Sequence, residues 1–167
     1  MPLLHHSVLR LADVCDEVVV VLAPDVDEPT FPPGVTIRVT RDPTEGEGPL
    51  AGLHAGLLAV RSDLALVSGG DMPDLKASVL LEMVRVAGDA PVDAVALRDG
   101  EGYRPLPSVL RAVRARDVAR SLLGSGRRRL RDLLDAMRIA VIDEPTWHAL
   151  DPERRTLFDV DVPSDLS

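Results

Sequence analysis

A chain of 167 residues with a formal charge of −8 is sized for one domain that buries roughly 70% of its unfolded surface. The acidic balance excludes the basic stripe that a nucleic-acid face or an anionic membrane face needs, and four aromatic residues are too few for a base-stacking platform. The single cysteine, Cys15, excludes an internal disulfide and a cysteine-rich zinc site and fits a reducing cytosol. With no signal-like or membrane-length apolar run, the expectation is a cytoplasmic protein with neither nucleic acid nor membrane among its partners.

In chain order, Leu3, Leu4, Val8 and Leu11 recur at helical spacing behind Pro2, a first-turn proline, so residues 2–11 read as a helix. Residues 17–22 (EVVVVL) are a β-branched run that reads as a buried strand, closed by a turn at Ala23-Pro24-Asp25. A proline-rich loop at 27–34 leads to 35–39 (VTIRV), whose alternation predicts a half-buried strand near a sheet edge. The polar tract 41–48 (RDPTEGEG) then delivers the chain to Pro49 at a helix start. Gly48 and Gly52 would let a ligand approach the free backbone N–H groups of that turn, with an ordinary glycine-tolerant helix start as the alternative. His54, on the same helix, reads as a packing or solvated histidine.

Residues 64–67 (LALV) read as a strand buried on both faces, ended by Ser68-Gly69-Gly70 and followed by Asp71, Met72 and Pro73. Ligands of open α/β sheets sit beyond the carboxyl ends of the strands, so Asp71 stands where chemistry is usually done, and a helix cap is its competing role. A helix over 79–86 stops at Gly88, and 93–97 (DAVAL) is the next strand. This order is the rhythm of a parallel sheet with crossover helices, but it lacks an opening strand. Residues 103–107 (YRPLP) read as rigid and extended, leading into a helix predicted over 109–123 with Gly124-Ser125-Gly126 as its stop. Arg127, Arg128, Arg129 and Arg131 open a further helix with Leu130, Leu133, Leu134 and Met137 on its apolar face. Such a cluster could bind a phosphate or simply be a solvated face. A strand at 138–143, a short helix at 145–150 and a last strand-like run at 156–162 (TLFDVDV) complete the chain. In that run Asp159 and Asp161 fall on one side, and either could meet Asp71 and hold a metal.

The sequence has no GxGxxG, no phosphate-binding GxxxxGK[ST], no HExxH and no zinc-spaced Cys/His cluster. Ser68 lacks the glycine-flanked elbow of a hydrolase, so nucleophilic catalysis is unsupported. Asp71 and Asp161 are left, each after a buried strand, with the Gly-Pro helix start and the arginines. Two hard carboxylates suit Mg²⁺, which completes its shell with water and substrate phosphate, so the residues alone point to a Mg-nucleotide or phosphometabolite site.

Five tracts, GPLAG at 48–52, GDMP at 70–73, RPL at 104–106, RRLRDLL at 128–134 and FDVDVPSDL at 158–166, resemble the successive motifs of the molybdenum cofactor guanylyltransferase family, in its order and at about its spacing. The resemblance covers nearly the whole chain. It implies an α/β, Rossmann-like, three-layer domain with a mostly parallel sheet, and an enzyme that joins GMP from GTP to molybdopterin with release of pyrophosphate. By motif, Asp71 resembles the family's Mg²⁺-binding carboxylate and Asp161 the residue that completes the metal site. Pro49, Leu50, Ala51 and Gly52, with Asp71, resemble the segment against the guanine nucleotide. Arg104, Pro105 and Leu106, with Arg128 and Arg129, resemble the side that receives the pterin. Molybdoenzymes or other cofactor-biosynthesis proteins are the partners such a role implies.

The family more often has glutamine where Arg104 stands, and Gly70 and Asp74 replace the cysteine and the apolar residue that frame the aspartate in many members. A larger departure is the absence of the opening strand and of the glycine-rich loop LxGGxSxRMGxDK, whose backbone, Arg and Lys hold the GTP phosphates. Met1 to Leu4 match the family's segment just after that loop. The expectation is therefore a single domain over 1–167, N-terminally truncated relative to the family, with a slot in its sheet and uncovered apolar neighbours. A catalytically silent nucleotide- or pterin-binding member, and a related nucleotidyltransferase acting on CTP or a sugar phosphate, are the alternatives.

Overall fold

In the computed structural model, which describes residues 2–43 and 47–160, alternation of apolar runs and turns yields a layered α/β arrangement. The elements are α1 (Leu3–Ala12), β1 (Val18–Leu22), β2 (Ile37–Arg41), α2 (Pro49–Ala59), β3 (Leu64–Val67), α3 (Ala77–Asp89), β4 (Ala94–Asp99), β5 (Gly102–Arg111), α4 (Ala112–Gly124), α5 (Leu130–Asp135), β6 (Ile139–Ile142) and α6 (Glu144–Leu150), with a 3-10 turn at Arg155–Leu157. None of the described helices is long and apolar enough to cross a membrane.

Successive strand residues point to opposite faces, and β4 makes the layering plain. Ala94 and Ala96 pack with Leu50 and Leu57 of α2, Ala115 of α4 and Leu133 of α5. Val95 and Leu97 pack on the other face with Val79, Leu80 and Met83 of α3 and with Trp147 of α6. Small residues on one face and larger ones on the other let two helical layers approach one sheet. Full burial of each leucine or methionine contributes about 1.5–3 kcal/mol.

The strands form two sheets, β1-β2 and β3-β5-β4-β6. β1 and β2 are parallel, as are β4 and β6, while β5 runs antiparallel to both β3 and β4. β2 is an edge strand, as its alternation predicts. The strand directions follow from α1. It turns through Asp13 to Glu17 straight into β1, so the two run oppositely, and the Ser7 hydroxyl reaches Gly70 O (3.2 Å) and Met72 O (3.1 Å) just past β3. The carboxyl ends of β1 and β3 therefore lie at the same end of the molecule, and only β5 is reversed among the six strands. Among the described residues no strand joins the two sheets between β1 and β3; a cavity of about 790 Å³ lies between them.

Two expectations are corrected. The helix predicted over 109–123 begins only at Ala112, and residues 102–111 are a strand. Val109 and Leu110 are fully buried because β5 is flanked on both sides. Prolines argue against a central strand, yet Pro105 and Pro107 fall where the register slips between Leu97↔Arg104 and Val95↔Val109. A bulge there needs no N–H donors from them. The Leu106-Pro107 peptide is cis. The strand predicted over 156–162 is replaced by the 3-10 turn at Arg155–Leu157 and irregular chain to Val160, with 161 and 162 outside the described residues. Here local capping wins over β propensity. The Asp151 carboxylate, 1% exposed, accepts the Thr156 N–H at 2.7 Å, and the Thr156 hydroxyl accepts the Lys76 N–H at 3.3 Å.

Burial pushes the Asp151 carboxyl up, but the hydrogen bonds from Thr156 and Arg155 and the charge of Lys76 outweigh it, so its pKa lies below the ordinary 3.8. A depressed folded-state pKa stabilises the fold above the unfolded value, and the contribution is lost as pH falls through the folded one. Asp151→Ala is expected to destabilise by about 1–3 kcal/mol at neutral pH, because the Thr156 N–H loses its acceptor in a buried site. Urea unfolding should show the difference from wild type shrinking below about pH 4. A difference that is constant with pH would show that the carboxylate charge is not what holds the turn.

Candidate active site

The carboxyl end of β3 is a tight turn through Gly69 and Gly70. Met72 N–H bonds to Gly69 O at 3.3 Å, and Met72 is anchored in the core at 2% exposure. A side chain at Gly69 would put its Cβ 2.4 Å from Asp71 Oδ1, so the carboxylate occupies space that a side chain would take. The Ser7 hydroxyl holds the same turn from α1, through the carbonyls of Gly70 and Met72. A lone serine on the apolar face of an amphipathic helix is the only sequence signal for that role.

The Asp71 carboxylate is half-buried and, among the described residues, takes part in no hydrogen bond or ion pair. Its competing role as a helix cap falls away, since the N-cap of α3 is Lys76 and no side chain caps that helix. Asp71 O accepts the Val160 N–H at 3.0 Å, so the chain returns to this turn immediately before Asp161, which itself lies outside the described residues. Of the two carboxylates in the terminal run, Asp159 is engaged elsewhere, 3.4 Å from Arg104.

The start of α2 is a second built feature. Gly48 takes φ +87° and passes so close to Arg128 that a Cβ there would sit 3.2 Å from the Arg128 Cβ and O atoms. Leu50 N–H donates to Arg128 O at 3.1 Å, and the Arg128 guanidinium pairs with Glu47. Pro49 has no N–H, and no side chain among the described residues caps α2, so the Ala51 N–H is left among them as the orphan donor of its first turn. Leu50 is wholly buried; the turn presents backbone, and the leucine anchors it. Arg128 thus sits against the nucleotide-side tract, a meeting that neither tract signals alone apart from Gly48. Arg129 points outward, 79% exposed, with Asp132 at 3.8 Å.

Arg104 lies at the β5 bulge, with Asp99 at 3.4 Å on one side and Asp159 and Leu157 O at 3.4 Å on the other. Leu106 projects from the bulge into the apolar layer beneath α3 and also lines the large cavity. That cavity collects Gly48, Pro49, Gly52, Gly69, Gly70 and Leu106. Three of the five sequence tracts thus meet at the common carboxyl end of β1 and β3. His54 stays apart from them; burial, then Arg120 and Arg116, hold its pKa below the ordinary 6.5, which suits a neutral packing histidine.

Among the described residues no group of three or more His, Cys, Asp or Glu could by itself enclose a metal. A lone, partner-free carboxylate at a strand end fits instead a hard ion that takes one or two protein oxygens and fills its shell from phosphate and water.

Residues 1–141 match the model of the MobA-like NTP transferase domain. The chain is 31% identical over 166 residues to a probable molybdenum cofactor guanylyltransferase of Chloroflexus aggregans, covering 98% of this chain and 77% of that protein. It is 32% identical to the protein of that name from Mycolicibacterium paratuberculosis, covering 98% and 78%. Among solved structures, molybdopterin-guanine dinucleotide biosynthesis protein A of Archaeoglobus fulgidus superposes with a TM-score of 0.66 at 23% identity, over 79% of this chain and 65% of that one. The 2-C-methyl-D-erythritol 4-phosphate cytidylyltransferase of Thermus thermophilus superposes with a TM-score of 0.71 at 18% identity, over 98% and 85%. These two structures share the fold. The domain match and the identities, over layers and strand ends arranged as above, make this chain a member of the MobA-like NTP transferase family.

Proposed function

We propose that this nucleotidyltransferase acts as a molybdenum cofactor guanylyltransferase in the cytoplasm, joining GMP from GTP to molybdopterin and releasing pyrophosphate. The observation that carries the reading is the shared cavity end. There the uncapped start of α2 and the turn bearing the Asp71 carboxylate, which has no partner among the described residues, stand together. Helix-start N–H groups favour anions and polar base edges, and an unpaired carboxylate favours a divalent ion.

In this reading Pro49, Leu50, Ala51 and Gly52 lie against the guanine nucleotide. Asp71, joined by Asp161, holds Mg²⁺, which when bound neutralises phosphate charge and polarises the phosphoryl oxygen. Arg104, Pro105, Leu106 and Arg129 serve the pterin side. Arg104 keeps two carboxylate neighbours that orient it, so it offers the remainder of its planar donor set to an acceptor. Arg128 stands between the two groups, since its carbonyl supports α2 while its neighbour faces outward. Molybdoenzymes or other proteins of cofactor biosynthesis would take the product.

The direct test is pyrophosphate release from GTP, molybdopterin and Mg²⁺, with CTP as the competing nucleotide. Pyrophosphate from GTP alone supports the reading. Tight GTP or pterin binding without pyrophosphate would replace it with a silent binding module, and turnover of CTP would replace the nucleotide. Asp71→Asn should lower Mg²⁺-dependent turnover at least about hundredfold by removing the charge partner of the metal; unchanged activity would exclude Asp71 as the ligand. Arg104→Ala and Arg129→Ala should raise the KM for pterin about tenfold with the KM for GTP unmoved. Arg128→Ala should raise both, because its loop also holds the start of α2. Equal effects of all three on GTP would reassign the arginines to the nucleotide.

A further inference from the structure

Each carbonyl of the turn around Asp71 has a partner. Gly69 O accepts the Met72 N–H at 3.3 Å, and Asp71 O accepts the Val160 N–H at 3.0 Å. The other two, Gly70 O and Met72 O, lie 3.2 and 3.1 Å from the Ser7 hydroxyl. One belongs to the peptide that enters Asp71 and the other to the peptide that joins Met72 to Pro73, so one side chain of α1 grips the backbone ahead of the carboxylate and beyond it. Helix α1 meets the turn again one helical turn earlier, where Leu4 Cδ1 stands 3.4 Å from the position a Cβ would take on Gly70.

Packing does not ask for a hydroxyl at this position. Ser7 is 2% exposed and shares the apolar stripe of α1 with Leu4 and Leu11. Alanine has the higher helix propensity there, and a buried hydroxyl is costly unless it is hydrogen-bonded. What serine adds is a donor, and its one proton is shared between two carbonyls that have no other partner among the described residues. The Asp71 carboxylate, folded back over Gly69, likewise has no partner of its own among those residues. The backbone from which it projects is therefore what aims it.

We propose that Ser7 is a positioning residue for the divalent ion: by holding the Gly70 and Met72 carbonyls it fixes the backbone under Asp71, and so sets how well that carboxylate meets a metal carried by the nucleotide phosphates. The inference rests on the proposed role of Asp71 as metal ligand and extends it to a residue of another element. An ion that takes only one or two protein oxygens has little else in the protein to orient it. Groups that orient a ligand from behind typically change metal affinity about 10–100-fold when removed. Without the Ser7 hydroxyl the carboxylate keeps its charge and loses its aim. The loss therefore falls on the metal-bound nucleotide and spares the nucleotide alone.

The test is calorimetric affinity for Mn²⁺·GTP, and for GTP with a chelator present, on wild type, Ser7→Ala, Ser7→Thr, Val8→Ala and Asp71→Asn; no turnover is required. Ser7→Ala should weaken Mn²⁺·GTP about tenfold or more and leave metal-free GTP unchanged, while Ser7→Thr, which keeps the hydroxyl, should bind as wild type does. Val8, also 2% exposed, adjoins Ser7 but packs against β1 and β2. Val8→Ala should lower the melting temperature at least as far as Ser7→Ala and leave both affinities unchanged, which separates aim from stability. If Ser7→Ala does not fold, Ser7→Cys, whose thiol is a weak donor, replaces it with the same expected loss. Equal binding of Mn²⁺·GTP by wild type and Asp71→Asn overturns the ligand role of Asp71 and the inference with it. If those two differ, then wild-type affinity in Ser7→Ala or its Cys replacement, no rescue by Ser7→Thr, or an equal loss in Val8→Ala overturns the inference alone.

Discussion

The pairing of β5 with both β3 and β4 is the constraint on which most of this molecule depends. It buries Val109 and Leu110 between two neighbours and fixes the plane against which both helical layers pack. It also forces the bulge at Pro105–Pro107 to fall beside the end of β3. A reversed strand in an otherwise co-directional set also consumes one edge of β3, so the other edge is left to face β1 across the gap. Site and gap are two consequences of one ladder.

At the carboxyl end the same economy recurs. Gly69 has no side chain, so a carboxylate can fold back over it. Gly48 has φ +87°, so the 128 carbonyl can reach the first turn of α2. Neither contact is strong by itself, and the Glu47–Arg128 pair, about half exposed, contributes at most about 1 kcal/mol. Their value is positional. Buried Ser7, Leu50 and Met72 hold the backbone on which the exposed groups stand, which ties the chemistry of the surface to the packing beneath it.

Much of this was legible in the sequence because it is written in local pattern. The runs at 18–22, 64–67 and 94–97 are apolar without alternation and become strands, of which 94–97 is buried throughout while 18–22 and 64–67 are buried only in part; Gly69-Gly70 before Asp71 marks a turn that the structure makes. The order of elements gives the parallel rhythm. Local pattern could not give β5. Its helix-forming sequence from Ala112 onward runs continuously into Val109 and Leu110, and its prolines disguise a strand whose register slips around them. Nor could it give the turn at Arg155–Leu157, where a buried aspartate four residues before overrides the β-favouring TLFDV. The company of Arg128 with Glu47 and Leu50 joins residues about eighty positions apart, beyond any local signal. Asp161 stays a reading from motif alone.

The central claim is that a metal-bearing nucleotide sits at the common carboxyl end of β1 and β3. Titrating the chain with Mn²⁺ and GTP while following backbone amide resonances tests it most directly, because the paramagnetic ion broadens the resonances of nearby nuclei. The account predicts selective broadening at Gly69, Gly70 and Asp71, with chemical-shift changes at Ala51 and Gly52. Broadening centred on Asp99 and Glu144, or spread evenly over the acidic surface, would contradict it.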